Sequence, residues 1–398
     1  MSRPTSTSAP GTRLTSQMAA AIPPFIVMDV MEKAQALEKD GVPIIHLEVG
    51  EPDFDTPPPI KEAAARALAD GHTHYTHSLG LLELREEICA YYKREYGVDI
   101  TPDRIIVTSG TSPAMLLVFA AILDPGDQVI LPDPHYACYP NTIGFVGGSC
   151  VYVALREEEG FRYHPEAIRA SIGPRTKAIL INSPANPTGI VLSPEQLAEL
   201  ANLDTLVVSD EIYHGLVYNG RAHSMLEYTD RCVVINGFSK LYAMTGWRLG
   251  YAIVPRELVR PIQKLQQNLL ICASSLAQYA ALAAFRECDP YVREMVRTYD
   301  ARRRHLVARL REIGFGVAVE PTGAFYVLAN AKKFSPDSYA FASELLERAR
   351  VAVAPGIDFG NNAEGYLRFS YANSLENIEE GMRRLAAYLE HRPRAGRG

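Results

Sequence analysis

The sequence predicts an α/β protein in two parts: a large domain with a mostly parallel sheet sandwiched by helices, and a smaller α+β domain. Three observations carry this. Between about residues 60 and 286, short apolar runs rich in β-branched residues alternate with amphipathic stretches of helical period. Those runs are continuously apolar rather than alternating, as strands covered on both faces are. Beyond residue 289 the order changes to one long charged helical stretch, followed by mixed strands and helices.

The elements follow in chain order. Residues 1–24, biased to Ser, Thr and Pro, read as a flexible tail. After Phe25, Val27, Met28, Met31, Ala34 and Leu37 interleave with charged residues as on an amphipathic helix, which Gly41 ends before a strand at 44–47. Residues 25–57 are expected to join the small domain. The large domain, 58–288, carries strands at 105–107, 128–131, 151–153, 178–181, 206–208, 233–235 and 249–254, each too short for a helix. The small domain, 289–391, opens on a helix at 289–313 whose apolar stripe includes Met295, Tyr299, Leu306 and Leu310. Strands at 316–319 and 324–328, a helix at 338–348, a strand at 366–371 and a helix at 375–389 complete it. Residues 392–398 read as a solvated basic tail.

Bulk properties exclude several classes of function. With 398 residues, 47% hydrophobic and 22% charged, the chain can bury two cores without staples. A net charge of −6 argues for neither nucleic acid nor an anionic membrane as a partner. No run reaches the ~20 apolar residues of a membrane span, and the first twenty residues lack the apolar core of a secretory signal, so a cytoplasmic location is expected. Six cysteines without C-x-x-C spacing fit inert thiols in a reducing compartment. No metal site is expected, because His72, His74 and His77 have no carboxylate or cysteine cluster beside them.

Ligands of open α/β sheets bind beyond the carboxyl ends of the strands, so the polar residues after each apolar run matter most. Lys240 follows the run at 232–235, with Arg248 eight residues on and small residues between. A lysine amine condenses with a carbonyl, and an arginine clamps a phosphate through paired charge-assisted bonds. Together they suit a phosphorylated, carbonyl-bearing cofactor. The stretch Gly237-Phe238-Ser239-Lys240 to Tyr251 resembles the pyridoxal-phosphate lysine segment of the class I/II (fold type I) aminotransferases.

Four other strand ends supply compatible groups. Thr108-Ser109-Gly110-Thr111-Ser112-Pro113 opens a helix with Ser112 as a plausible N-cap, whose free amides suit a phosphate. Asp210 ends the strand at 206–208 and can serve as counter-charge to a protonated ring nitrogen, although an isolated strand-end Asp as readily caps the next helix. Asn186 sits in the Pro/Gly-locked loop Asn182-Ser183-Pro184-Ala185-Asn186-Pro187-Thr188-Gly189, where its amide can donate to a ring oxygen. Tyr136, after the strand at 128–131, can stack on a flat ring or simply pack.

From about residue 25 to 389 these motifs, in this order, are similar to the aspartate-aminotransferase-like members of that family. The resemblance implies a two-step aminotransferase that moves an amino group from an L-amino acid to a 2-oxo acid. Lyases and synthases that share the cofactor remain the alternative. It implies that Lys240 is the Schiff-base lysine and proton shuttle, that Asp210 pairs with the ring nitrogen, and that Asn186 and Tyr213 bind the ring oxygen. Gly110, Thr111, Ser112, Ser239 and Arg248 would surround the phosphate, and Tyr136 would stack on the ring. Gly50, in Leu47-Glu48-Val49-Gly50-Glu51-Pro52-Asp53, and Arg368, in Tyr366-Leu367-Arg368-Phe369-Ser370, would meet the substrate carboxylate. Tyr75, in His74-Tyr75-Thr76, would reach the phosphate of a neighbouring subunit, which requires a homodimer. Two departures stand out: Gly237 lies where many members carry a phosphate-binding serine, and Ser112 lies where some aspartate-specific members carry a lysine.

Overall fold

The computed structural model describes residues 14–392. Strand β1 (Ile45–His46) precedes a seven-stranded sheet built from β2 (Ile105–Thr108), β3 (Gln128–Asp133), β4 (Ser149–Ala154), β5 (Thr176–Asn182), β6 (Leu206–Asp210), β7 (Cys232–Gly237) and β8 (Gly250–Ile253). Its order is β2-β8-β7-β6-β5-β3-β4, and only β8 runs against the others. The burial of β2 and of β5 to β8 explains their unbroken apolar character, since helices cover both sheet faces. This topology positions the site in one further way. Six strands end on the same edge, and β8, running back, begins there, so Arg248 arrives at the edge where Lys240 departs.

The C-terminal part holds β9 (Tyr326–Asn330), β10 (Val351–Ala352), β11 (Ala354–Pro355) and β12 (Tyr366–Ser370), with β12 central in an antiparallel sheet of order β11-β12-β9. β1 pairs in parallel with β10, which ties the N-terminal segment to this part of the chain. The helix Ile26–Lys39 lies against the same region, its first two amides bound by the Asp358 carboxylate at 3.2 Å each.

Some expectations need correction. No strand forms over 316–319: only Gly316 bridges to Asn330, because Arg311 takes the Val317 carbonyl at 2.8 Å and the Glu157 carboxylate takes the Ala318 amide. The strand expected at 324–328 begins instead at Tyr326, since Ala324 sits at φ +54° and breaks the extended run. The helix expected through 348 is α-helical to Glu344 and closes in a π-helical turn, Leu345–Ala349. Residues within the expected N-terminal tail form a short helix, Gln17–Ala21, capped by Ser16 and with no buried side chain. Arg392, expected in the basic tail, is anchored on the Glu344 carboxylate at 2.6 Å and on the Phe334 carbonyl at 2.7 Å. The remaining parts of both tails, 1–13 and 393–398, lie outside the described residues.

Candidate active site

A cleft of about 400 Å³ opens at the shared strand edge, closed on one side by the start of the helix Ile26–Lys39. At its floor Lys240 Nζ donates to the Gly50 carbonyl at 2.6 Å. Desolvation lowers the Lys240 pKa from 10.5 to about 8; Glu51 opposes this, while Arg368 and Arg248 add to it. An amine so placed is a nucleophile and proton carrier near neutral pH.

Asp210, only 5% exposed, ends β6 beside Asn182 of β5. Its carboxylate accepts from Tyr139 Oη at 2.7 Å and from the Ile212 amide at 3.2 Å. Burial nevertheless pushes its pKa up to about 6. A buried carboxylate in this condition gains from a cationic partner, and a protonated ring nitrogen is one. Asn182 holds the neighbouring loop: its side-chain NH2 donates to the Asp210 backbone carbonyl at 2.9 Å, and its side-chain oxygen accepts from the Asn186 backbone N–H at 2.7 Å. Tyr213 Oη meets Tyr326 Oη at 2.7 Å, with burial holding the Tyr213 phenol well above its ordinary pKa.

The phosphate end is a cradle in which side chains have no room. Gly110 caps the helix Thr111–Ile122 at φ +105°, and a Cβ there would lie 2.8 Å from Arg248 Nη2. The helix therefore begins at Thr111, so Ser112 is inside its first turn rather than the N-cap, and the unpaired first-turn amides sit beside the guanidinium. Ser239 and Ser112 both line the cleft. The departure at Gly237 has a steric reason: a Cβ there would meet Gly250 Cα and the Leu249 carbonyl at 3.0 Å. Oriented amides, a fixed cation and an amine beyond them suit the phosphate and aldehyde of pyridoxal phosphate, and Asp210 suits its ring nitrogen.

Arg368 is 2% exposed, contrary to what a charged residue on an isolated strand suggests. The rings of Tyr326 and Phe359 sandwich its guanidinium, with centroids 4.4 and 4.7 Å from Cζ. Nη1 donates to Asn186 Oδ1 at 2.9 Å, Nη2 donates to the Glu48 carbonyl, and Nε has no partner among the described residues. A buried, unpaired donor beside an open cleft is suited to a carboxylate. Gly50 is confined by Tyr326, whose Oη would lie 2.5 Å from an added Cβ.

The structure thus gathers the expected residues into one cleft, with Gly110 at its edge and one exception. Tyr75 does not line it and is 80% exposed. Among the described residues no cluster of His, Cys, Asp or Glu could hold a metal ion, and no helix is long and apolar enough to cross a membrane. Sequence reasoning missed Tyr139 and Tyr326. Tyr139 stands three residues after Tyr136, the spacing that puts two side chains on one helical face, and Tyr326 pairs with Ser370 on the strand that bears Arg368.

Comparison with known proteins agrees with this geometry. Residues 42–385 match the family model described as aminotransferase class I and II. The (5-formylfuran-3-yl)methyl phosphate transaminase of Methanocaldococcus jannaschii is 44% identical, over 92% of this chain and 96% of its own length. The aspartate/prephenate aminotransferase of Thermus thermophilus is 43% identical over 94% and 98%. The structure of the aspartate aminotransferase from Thermus thermophilus with maleate superimposes with a TM-score of 0.91 at 41% identity, covering 94% of this chain and all of that one.

Proposed function

Since this chain belongs to the class I and II aminotransferases and is a pyridoxal-phosphate-dependent transaminase, we propose that the gathered cleft residues divide its chemistry as follows. When bound, pyridoxal phosphate supplies an aldehyde that condenses with amines and a ring that accepts the electron pair left when the substrate Cα loses its proton. Lys240 Nζ would hold the cofactor between turnovers and, once a substrate amine replaces it, would take and carry the proton from the substrate Cα. Asp210, steadied by Tyr139, would keep the ring nitrogen protonated. Asn186 is aligned through its Oδ1 by Arg368, which leaves its amide N–H groups to bind the ring oxygen with Tyr213. Arg248, the Gly110-Thr111-Ser112 turn and Ser239 would hold the phosphate, and Tyr136 would lie against the ring. Arg368 and the Gly50 backbone receive the substrate carboxylate.

The observation that carries this assignment is the position of Lys240 Nζ in the same cleft as a buried carboxylate and two separated guanidinium groups. Lys240→Ala tests it. The variant should lose turnover and the visible band of lysine-bound cofactor while keeping its fold by circular dichroism; a retained band would assign the cofactor to another lysine.

The assembly is proposed to be a homodimer in which Tyr75 of one protomer reaches the phosphate site of the other. Its support is the 80% exposure of this ring together with the exposed Leu68, Leu269 and Ile271. Cross-linking through cysteine at position 75 would show intermolecular pairing, and a monomer at working concentration would refute it. We take residues 25–57 and 289–391 as the small domain, 58–288 as the large one and the cytoplasm as the location, the first supported by the β1–β10 pairing.

A further inference from the structure

The cleft has a second region beyond the groups used above, and its chemistry constrains the substrate side chain. Phe25, Val27, Met28 and Met31 reach it from the N-terminal segment, and Met115 and Tyr136 reach it from the large domain. Among the described residues of one protomer that line the cleft, the only cations are Lys240, Arg248 and Arg368, and each already has a task in the proposed mechanism. The charged group left over is Glu51, an acid.

Two potential receptors for a second substrate carboxylate are already taken. The N-terminus of the helix Ile26–Lys39 could attract an anion, but the Asp358 oxygens bind the Ile26 and Val27 amides at 3.2 Å each. The Thr142 hydroxyl on the opposite wall donates to the Cys138 carbonyl at 2.9 Å. A carboxylate pushed against this wall would lose water without gaining a partner, whereas an alkyl, thioether or aromatic group would bury apolar surface on both.

We propose that this wall is the side-chain subsite of the amino donor, and that it selects aliphatic, thioether or aromatic amino acids against aspartate and glutamate. The inference rests on the transaminase reading and adds the substrate class to it. Met28 and Met31, one turn apart on the same helical face, are its specificity-determining residues, and their flexible thioethers suit side chains of varied shape.

Single-turnover titration of the cofactor-loaded enzyme with L-leucine, L-methionine, L-phenylalanine, L-aspartate and L-glutamate tests this through loss of the visible band. At least one apolar donor should exceed both acidic donors by about tenfold or more in apparent kcat/KM. Equal or better conversion of an acidic donor would overturn the subsite while leaving transamination intact. Failure of every amino acid would overturn transamination, and the subsite with it. Met28→Lys, at a position 41% exposed and tolerant of charge, should move the ratio toward aspartate by about tenfold. Met31→Arg serves the same purpose from the next turn. An unchanged ratio in both folded variants would also overturn the assignment.

Discussion

Replacing Asp210 by asparagine separates the stability of the folded chain from that of its complex with cofactor. Burial raises the Asp210 carboxyl from an ordinary 3.8 to about 6, even with the bonds from Tyr139 and Ile212. Each pKa unit corresponds to about 1.4 kcal/mol, so the ionised carboxylate costs the cofactor-free protein about 3 kcal/mol. The sign follows from proton binding. The folded chain holds this proton more tightly than the unfolded one, so stability falls as pH rises from about 4 to about 6 and stays lower above that. Asparagine removes the charge but must turn its NH2 toward one of two donors, which returns about 1 kcal/mol. The cofactor-free variant should therefore be about 2 kcal/mol more stable than the parent at pH about 7.5, and the gain should shrink toward pH about 4. With pyridoxal phosphate bound the order should reverse, because the ring nitrogen loses its counter-charge. Thermal unfolding with and without cofactor at both pH values reads these differences. A variant destabilised equally at both pH values without cofactor would refute the argument that the Asp210 charge is the cost.

Three further outcomes follow from the same geometry. Arg368→Lys keeps the charge but loses the planar guanidinium held between Tyr326 and Phe359, so KM for amino acids should rise about 30-fold or more with cofactor affinity unchanged; an unaltered KM would remove Arg368 from substrate binding. Gly110→Ala forces a side chain onto φ +105° and to within 2.8 Å of Arg248, and should weaken cofactor binding by about tenfold in equilibrium dialysis, whereas parent-like affinity would show that the turn yields freely. The rate at which cofactor-free enzyme captures pyridoxal phosphate should rise with pH through about 8, where Lys240 loses its proton, and a rise centred near 10 would contradict the desolvation of that amine.

The legible part of the site was the part carried by single strand ends. Lys240, Asp210, Asn186 and the Gly110-Thr111-Ser112 turn each follow an apolar run whose composition marks a buried strand, and the parallel order sends those ends to one edge. Arg248 was legible from its place eight residues after Lys240, and the structure supplies the reason the two meet: it precedes β8, which runs back from that edge. The long helix Asp289–Ile313 was equally plain, since a charged stretch with a continuous apolar stripe has no competing reading. Strand limits in the small domain were less so. Over 316–319 local apolar character suggests pairing, but side chains of Arg311 and Glu157, distant in sequence from one another, satisfy the backbone groups instead.

By itself the sequence determined a mostly parallel sheet, the strand runs that build it and the kinds of group presented at their ends, because strand periodicity and turn chemistry act over a few residues. Only the tertiary structure decided that Arg368 is buried between two rings, that Tyr139 supports Asp210, and that Met28 and Met31 face the cleft beside Met115. Tyr139 and Asp210 lie 71 residues apart, Arg368 meets Tyr326 across the β12–β9 pairing, and Met28 and Met115 come from distant segments. The energies of these contacts come from desolvation and packing between segments that only folding brings together, and no local pattern records which surfaces those segments will share.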